Sequence, residues 1–236
     1  ASDVYKRQGY HNLLKLVSES HVDNFYYRPR TTFEMLQKYS EGIIATSACI
    51  AGIIPRCIDD GAFAEAKEWA QKFAALYEPG DFYIELQDHG LEEDNTVLPQ
   101  LIKLARETGI PMAATNDSHY LRKEDAKMQG ILLCIQTGKT IQDADKMEFQ
   151  TDEFYVKTTD EMYELFSMVP EACENTAKIA EQCNFDFDFG HTKIPYYKAP
   201  NGMDNQAFFE KLCWEGLERR YGPNVPQANK DRLEYE

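Results

Sequence analysis

Pro111-Met-Ala-Ala-Thr-Asn-Asp-Ser-His-Tyr120 is a short apolar run that ends in three polar groups, Asn116, Asp117 and His119. Side chains alternate along a strand, so Asp-x-His at a strand end sends a carboxylate and an imidazole to one face. A hard oxygen beside a borderline nitrogen, held at the end of a buried strand, is what a hydrolytic metal site requires. The plainer alternative makes Asp117 a helix N-cap and His119 a surface residue. The order of the surrounding elements bears on that choice.

Three times the chain runs helix, turn, short apolar strand, then small and polar residues. Thr32 to Tyr39 carries apolar residues at 33, 35, 36 and 39, which is helical spacing. The strand Ile43–Thr46 and the triplet Ser47-Ala-Cys49 follow. Phe63 to Tyr77 is an amphipathic helix closed by Pro79-Gly80, and the strand Phe82–Leu86 leads into Gln87-Asp-His89. Val97 to Glu107 is a third helix, stopped by Gly109, and Pro111 to Thr115 is the third strand. This alternation predicts parallel β/α units. In such folds ligands bind at the carboxyl ends of the strands. Cys49, His89 and the Asp117/His119 pair each follow a different strand, which favours the metal or catalytic reading.

Beyond Tyr120 the rhythm changes. A helix is expected from Lys123 to Gln136, then a charged loop over 137–152 and a short strand at Phe154–Val156. Thr158 or Thr159 caps the next helix, and another spans Glu171 to Cys183. Residues 186–200 read as extended and aromatic. Ala207 to Tyr221 reads as an amphipathic helix with Phe208, Leu212, Trp214 and Leu217 as its stripe.

Apolar residues make up 43% of the chain, yet no run approaches the roughly 20 that a membrane helix needs. The net charge of -15 argues against this surface as a main nucleic-acid track, which needs Lys and Arg to replace counterions. Six cysteines are scattered with no Cys-x-x-Cys pair. Five of them read as buried reduced thiols of a cytoplasmic protein. Residues 1–8 lack periodicity and resemble a scar of sequencing-library preparation. They are set aside, with the natural chain expected to begin upstream of Gly9. The last residues, Asp231-Arg-Leu-Glu-Tyr-Glu236, look like a helix cut without a cap.

Several segments together carry a family resemblance: Phe25-Tyr-Tyr-Arg-Pro-Arg30, Glu41-Gly-Ile-Ile-Ala-Thr-Ser-Ala-Cys49 and Tyr83-Ile-Glu-Leu-Gln-Asp-His-Gly90. Ala114-Thr-Asn-Asp-Ser-His-Tyr-Leu121, Leu132-Leu-Cys-Ile-Gln-Thr-Gly-Lys139 and Thr151-Asp-Glu-Phe-Tyr-Val-Lys157 continue it. In this order they resemble the bacterial replicative DNA polymerase III alpha-subunit family, continuously from Gly9 to Glu236. The resemblance implies that residues 9–195 are the later part of its amino-terminal polymerase-and-histidinol-phosphatase (PHP) domain, an incomplete distorted β/α barrel. Residues 196–236 would be the helical start of the polymerase core. By position, Cys49 matches the family's cysteine ligand, and Asp117 and His119 match its late Asp-x-His pair. His89 lies in a matching segment and reads as a loop hydrogen-bonding or capping group. The family's early His-x-His motif would lie before Gly9 and its catalytic aspartates after Glu236.

The resemblance further implies template-directed DNA synthesis by the full-length protein, with magnesium in the missing palm. Its partners would be DNA, deoxynucleotides, the sliding clamp and other replisome subunits, with no membrane. The PHP site, with zinc or manganese, would serve a 3′-5′ proofreading exonuclease. Two alternatives stand beside this: a vestigial site in a structural, partner-docking module, and a stand-alone small-molecule phosphatase. Phe25, Tyr26 and Tyr27 are expected to pack in the barrel rather than stack on bases. Arg28, Arg30 and Arg56 fit phosphate contacts or ion pairs equally well.

Overall fold

A computed structural model describes residues 2–4, 7–143, 145–187, 189–192 and 194–236, with side chains from Arg7 onward. Ala1, Tyr5 and Lys6 of the expected scar lie outside the described residues, as do Ala144 of the charged loop and Asp188 and Lys193 of the extended stretch. The chain divides into two compact units, one through Asp186 and one from Phe187 to Glu236.

The first unit is built on a four-stranded sheet in the order β1 (Ser2–Val4), β2 (Ile43–Thr46), β3 (Phe82–Leu86), β4 (Met112–Ala114). β2, β3 and β4 are parallel, with Ala45 beside Phe82 and Glu85 beside Ala113. β1 joins β2 antiparallel. The helices that return the chain are α2 (Phe33–Tyr39), α3 (Ile53–Asp59), α4 (Phe63–Ala74) and α5 (Asp94–Thr108). Thr32 starts α2 by accepting the Met35 amide, and Gly109 ends α5 in the left-handed conformation that a side chain disfavours.

Every residue of β3 is buried, as expected of a parallel strand covered on both faces. On one face Ala45, Ile84, Leu86 and Ala114 pack with Ile54, Leu101 and Leu104 of the helices. Each such large side chain contributes about 1.5–3 kcal/mol when fully buried. The other face carries a smaller cluster, Ile44, Tyr83 and Ala113. α8 (Pro170–Gln182) covers the β4 edge, where Asn175 Nδ2 donates to the Met112 carbonyl at 2.8 Å.

The sequence missed two helices, α1 (Arg7–Val22) and α3. α1 passes the β2 turn so closely that a Cβ on Gly9 would lie 1.8 Å from the Gly42 carbonyl oxygen. The expected strand at 154–156 is reduced to a single bridge between Tyr155 and Tyr120. The helix expected from Lys123 begins as one 3-10 turn and continues as α6 (Ala126–Thr137). Thr158 caps α7 (Thr159–Leu165) through a capping box with Glu161. Phe25, Tyr26 and Tyr27 are exposed, which corrects the expectation of barrel packing. Of the five cysteines expected in the core, only Cys134 and Cys173 are buried; Cys57, Cys183 and Cys213 are half-buried.

In the second unit Asp204 caps α9 (Asn205–Tyr221), and α10 (Gln227–Tyr235) follows. The expected apolar stripe of α9 is not buried: Leu212 and Trp214 are exposed, Phe208 and Leu217 half-buried. Among the described residues no helix is long and apolar enough to cross a membrane.

Candidate functional site

The three parallel strands end side by side, and each passes into a polar loop. β2 turns sharply after Ser47. Ala48 adopts φ 64°, a left-handed conformation that costs a residue with a Cβ roughly 1–2 kcal/mol. At Gly52 the turn is so tight that a Cβ would sit 2.4 Å from the Ser47 carbonyl oxygen. The strain sets Cys49 on an exposed turn facing the ends of the neighbouring strands.

The penultimate residue of β3 is Glu85, which is only 6% exposed. Its carboxylate accepts hydrogen bonds from Thr46 Oγ1 at the end of β2, from Thr115 Oγ1 past the end of β4 (2.6 Å) and from Gln87 Nε2 (2.9 Å). The Glu85 amide in turn donates to Ser47 Oγ at 2.9 Å. One buried carboxylate therefore ties three strand ends together. A buried charge of this kind is tolerated because donors surround it.

His89 lies further along the same loop and is 4% exposed. Asp94, at the start of α5, holds it by accepting the His89 amide at 2.9 Å and the Leu91 amide at 3.0 Å. The imidazole stacks on Phe154, with centroids 4.4 Å apart and planes 4° from parallel. Burial pushes its pKa below the ordinary value. Its Nε2 accepts the Asp117 amide at 3.2 Å, which puts the proton of the neutral ring on Nδ1.

Past β4, Asp117 and His119 meet, with Oδ2 and Nε2 3.1 Å apart. Their side chains are 49% and 37% exposed, so both remain open to a ligand. The His119 amide donates to the Phe154 carbonyl at 2.8 Å, and the ring lies 4.6 Å from that of Phe149. Cys49, Glu85, His89 and Asp117 line one cleft of about 120 Å³. The expected residues thus come together in part: Asp117 touches His119, and Cys49 shares the cleft with Asp117. Among the described residues no three His, Cys, Asp or Glu converge as an ion requires. Thiolate, carboxylate and imidazole suit zinc or manganese by type. By arrangement they fit a share of a metal site rather than a whole one.

Residues 3–89 match the PHP domain family. The chain is 46% identical over 230 residues to DNA polymerase III subunit alpha of Borreliella burgdorferi, covering 97% of this chain and 20% of that protein. The Treponema pallidum protein of the same name is 40% identical, again over 97% of this chain and 20% of its own length. That of Thermus aquaticus is 37% identical, over 93% of this chain and 18% of its length. Its likeness to DNA polymerase III alpha subunits runs over nearly the whole of this chain. It spans about a fifth of the length of the curated relatives it matches. The PHP match begins at Asp3, within the stretch set aside as a scar, and Ser2–Val4 pair with β2.

Sequence reasoning overlooked Glu85, Thr46 and Thr115. A signal for Glu85 was present: it is the one carboxylate in the apolar strand Phe82-Tyr-Ile-Glu-Leu86. Nothing in the sequence shows that its partners lie on the two neighbouring strands. His89, read as a loop hydrogen-bonding group, takes that role as an acceptor.

Proposed function

We propose that this chain serves as the PHP part of a replicative DNA polymerase alpha subunit. The complete protein would copy DNA from deoxynucleotides at a magnesium-dependent palm and work with a sliding clamp and other replisome subunits. Residues 9–195 would close into a distorted β/α barrel with the rest of the domain, and residues 196–236 would lead into the polymerase core. The cleft at the strand ends would contribute Cys49, Asp117 and His119 to a metal-dependent 3′-5′ exonuclease site. The carrying observation is that Asp117 and His119 touch at 3.1 Å, remain exposed, and adjoin a cleft that Cys49 also lines.

A divalent zinc or manganese ion, when bound, activates water and stabilises the charge that develops on a phosphodiester. The protein's own share is positional. Buried His89 fixes the Asp117 backbone, and Phe154 fixes that of His119. Glu85 holds the strand ends that carry all three candidate ligands. A scaffold reading draws on these same fastenings, which would stabilise the loop whether or not it holds an ion.

The experiment is metal content by mass spectrometry on the full-length alpha subunit beside its Asp117→Asn variant. Two or three zinc or manganese ions per chain, lost in the variant, would support the hydrolytic site. No metal in either protein would leave the domain a scaffold.

A further inference from the structure

A second, larger cleft of about 700 Å³ lies beside the candidate site, between α6 and the segment that precedes Phe154. This size falls in the range that small-molecule sites occupy. Two aromatic rings line it, Tyr120 and Phe149, with centroids 6.5 Å apart and planes at 70°. Gly130 and Ile131 of α6 form an apolar flank. Two lysines, Lys127 and Lys146, and two carboxylates, Glu148 and Asp152, also line it; Lys146 is 3.1 Å from Glu148 and Lys123 is 3.5 Å from Asp152, while among the described residues Lys127 makes no ion pair and is the cation that can meet a phosphate. Phe149 belongs to both places, because its ring also lies 4.6 Å from His119. Thr151, another lining residue, donates its hydroxyl to the His89 carbonyl at 2.7 Å and so ties the cleft wall to the site.

Aromatic faces stack on any nucleobase, and a neighbouring cation meets phosphate. We propose that this cleft receives the terminal nucleoside of a single DNA strand, one ring away from the Asp117–His119 pair. The inference rests on the proposed hydrolytic role for its catalytic meaning, while binding in the cleft stands by itself. It is compatible with the net charge of -15, since the contact is confined to one residue of the strand end and is not a track along its backbone.

Gly130 provides the test. It sits within α6, and a Cβ built there meets nothing within 4 Å. Gly130→Leu therefore fills the cleft without opposing the helix, which gains propensity from losing a glycine. Gly130→Ala changes the helix in the same sense and leaves most of the cleft open. The full-length alpha subunit is irradiated with a single-stranded oligonucleotide carrying 5-iododeoxyuridine at its 3′ end, and cross-linked peptides are mapped. Adducts at Tyr120 or Phe149 are expected in the parent and in Gly130→Ala, falling about tenfold in Gly130→Leu, as the loss of one stacked base would give. Adducts that avoid both residues, or that persist in Gly130→Leu, overturn the proposal. Cross-linking needs no turnover, so adducts at these residues in a protein without exonuclease activity would sustain the nucleoside site and remove only the hydrolytic reading.

Discussion

The end of β3 and the end of β4 both place a carboxylate at the mouth of the sheet, and the two could hardly be treated more differently. Glu85 is buried and accepts from three side chains at the ends of the three parallel strands, Thr46, Gln87 and Thr115, which occupy most of its acceptor positions. Asp117 is half exposed, touches one imidazole, and has its backbone rather than its carboxylate fastened. Burial converts the first into a structural fastener, because unmet donors around it would be costly. Exposure leaves the second free to exchange His119 for an ion. One carboxylate sets the geometry in which the other works.

The sharpest way to break this contrast is to remove the two carboxylates in turn. Glu85→Ala strands buried donors from Thr46, Thr115 and Gln87, each costing about 1–3 kcal/mol. Local opening should become easier by about 3 kcal/mol, a loss of amide-exchange protection of about 100-fold over all three parallel strands. Asp117→Ala should alter protection there by no more than about threefold, the scale of an exposed pair. Equal losses in the two variants would erase the distinction. Next in size is His89→Ala, which leaves the Asp117 amide without its acceptor and Phe154 without its stacked ring. We expect about 2 kcal/mol, seen as about 30-fold lower protection over Asp117–Tyr120. His89→Gln, whose side-chain oxygen replaces Nε2 as acceptor, should recover part of it.

Much of this arrangement is legible in the order of the residues. The helix–strand alternation locates β2, β3 and β4 within a residue or two, because each strand is a compact apolar run between turn signals. Their parallel pairing follows from the helices between them. The same reasoning places Cys49, Asp117 and His119 at strand ends, and the structure brings Asp117 to His119. Three things stay hidden. Glu85 stands out as an odd residue, but its partners are 39 and 30 positions away. α1 is missed, and only its first two residues, Arg7 and Gln8, fall in the stretch set aside as foreign. The stripe of α9 is legible as periodicity, yet periodicity states which residues share a face and not whether anything covers it. For the same reason Phe25, Tyr26 and Tyr27, aromatic in composition, are expected inside and lie outside.

The smallest effect concerns how the β4 end is braced from the far side. Asn116 Nδ2 donates to the Tyr155 carbonyl, and the Tyr155 hydroxyl donates to Glu161 at 2.8 Å. Glu161 also accepts the Thr158 amide and hydroxyl, each at 2.7 Å. The Thr158 amide and then its hydroxyl draw the Glu161 carboxyl down to about 2, while the bond to Glu161 pushes Tyr155 up to about 12. Glu161 titrates at its ordinary 4.5 when unfolded and at about 2 when folded. Its contribution is therefore complete above pH 4.5 and is lost as pH falls toward about 2. Glu161→Gln keeps an acceptor for the Thr158 amide but loses the negative charge at the start of α7, and should lower protection over Asn116–Tyr120 by about threefold at neutral pH. That difference from the parent should narrow steadily below pH 4.5, where the parent begins to lose the same interaction. The β3 end touches neither Tyr155 nor Glu161 through any of these bonds, so its protection should be the same in both proteins at every pH. A variant that loosened Phe82–Leu86 as much as Asn116–Tyr120 would show that the two strand ends open as one unit.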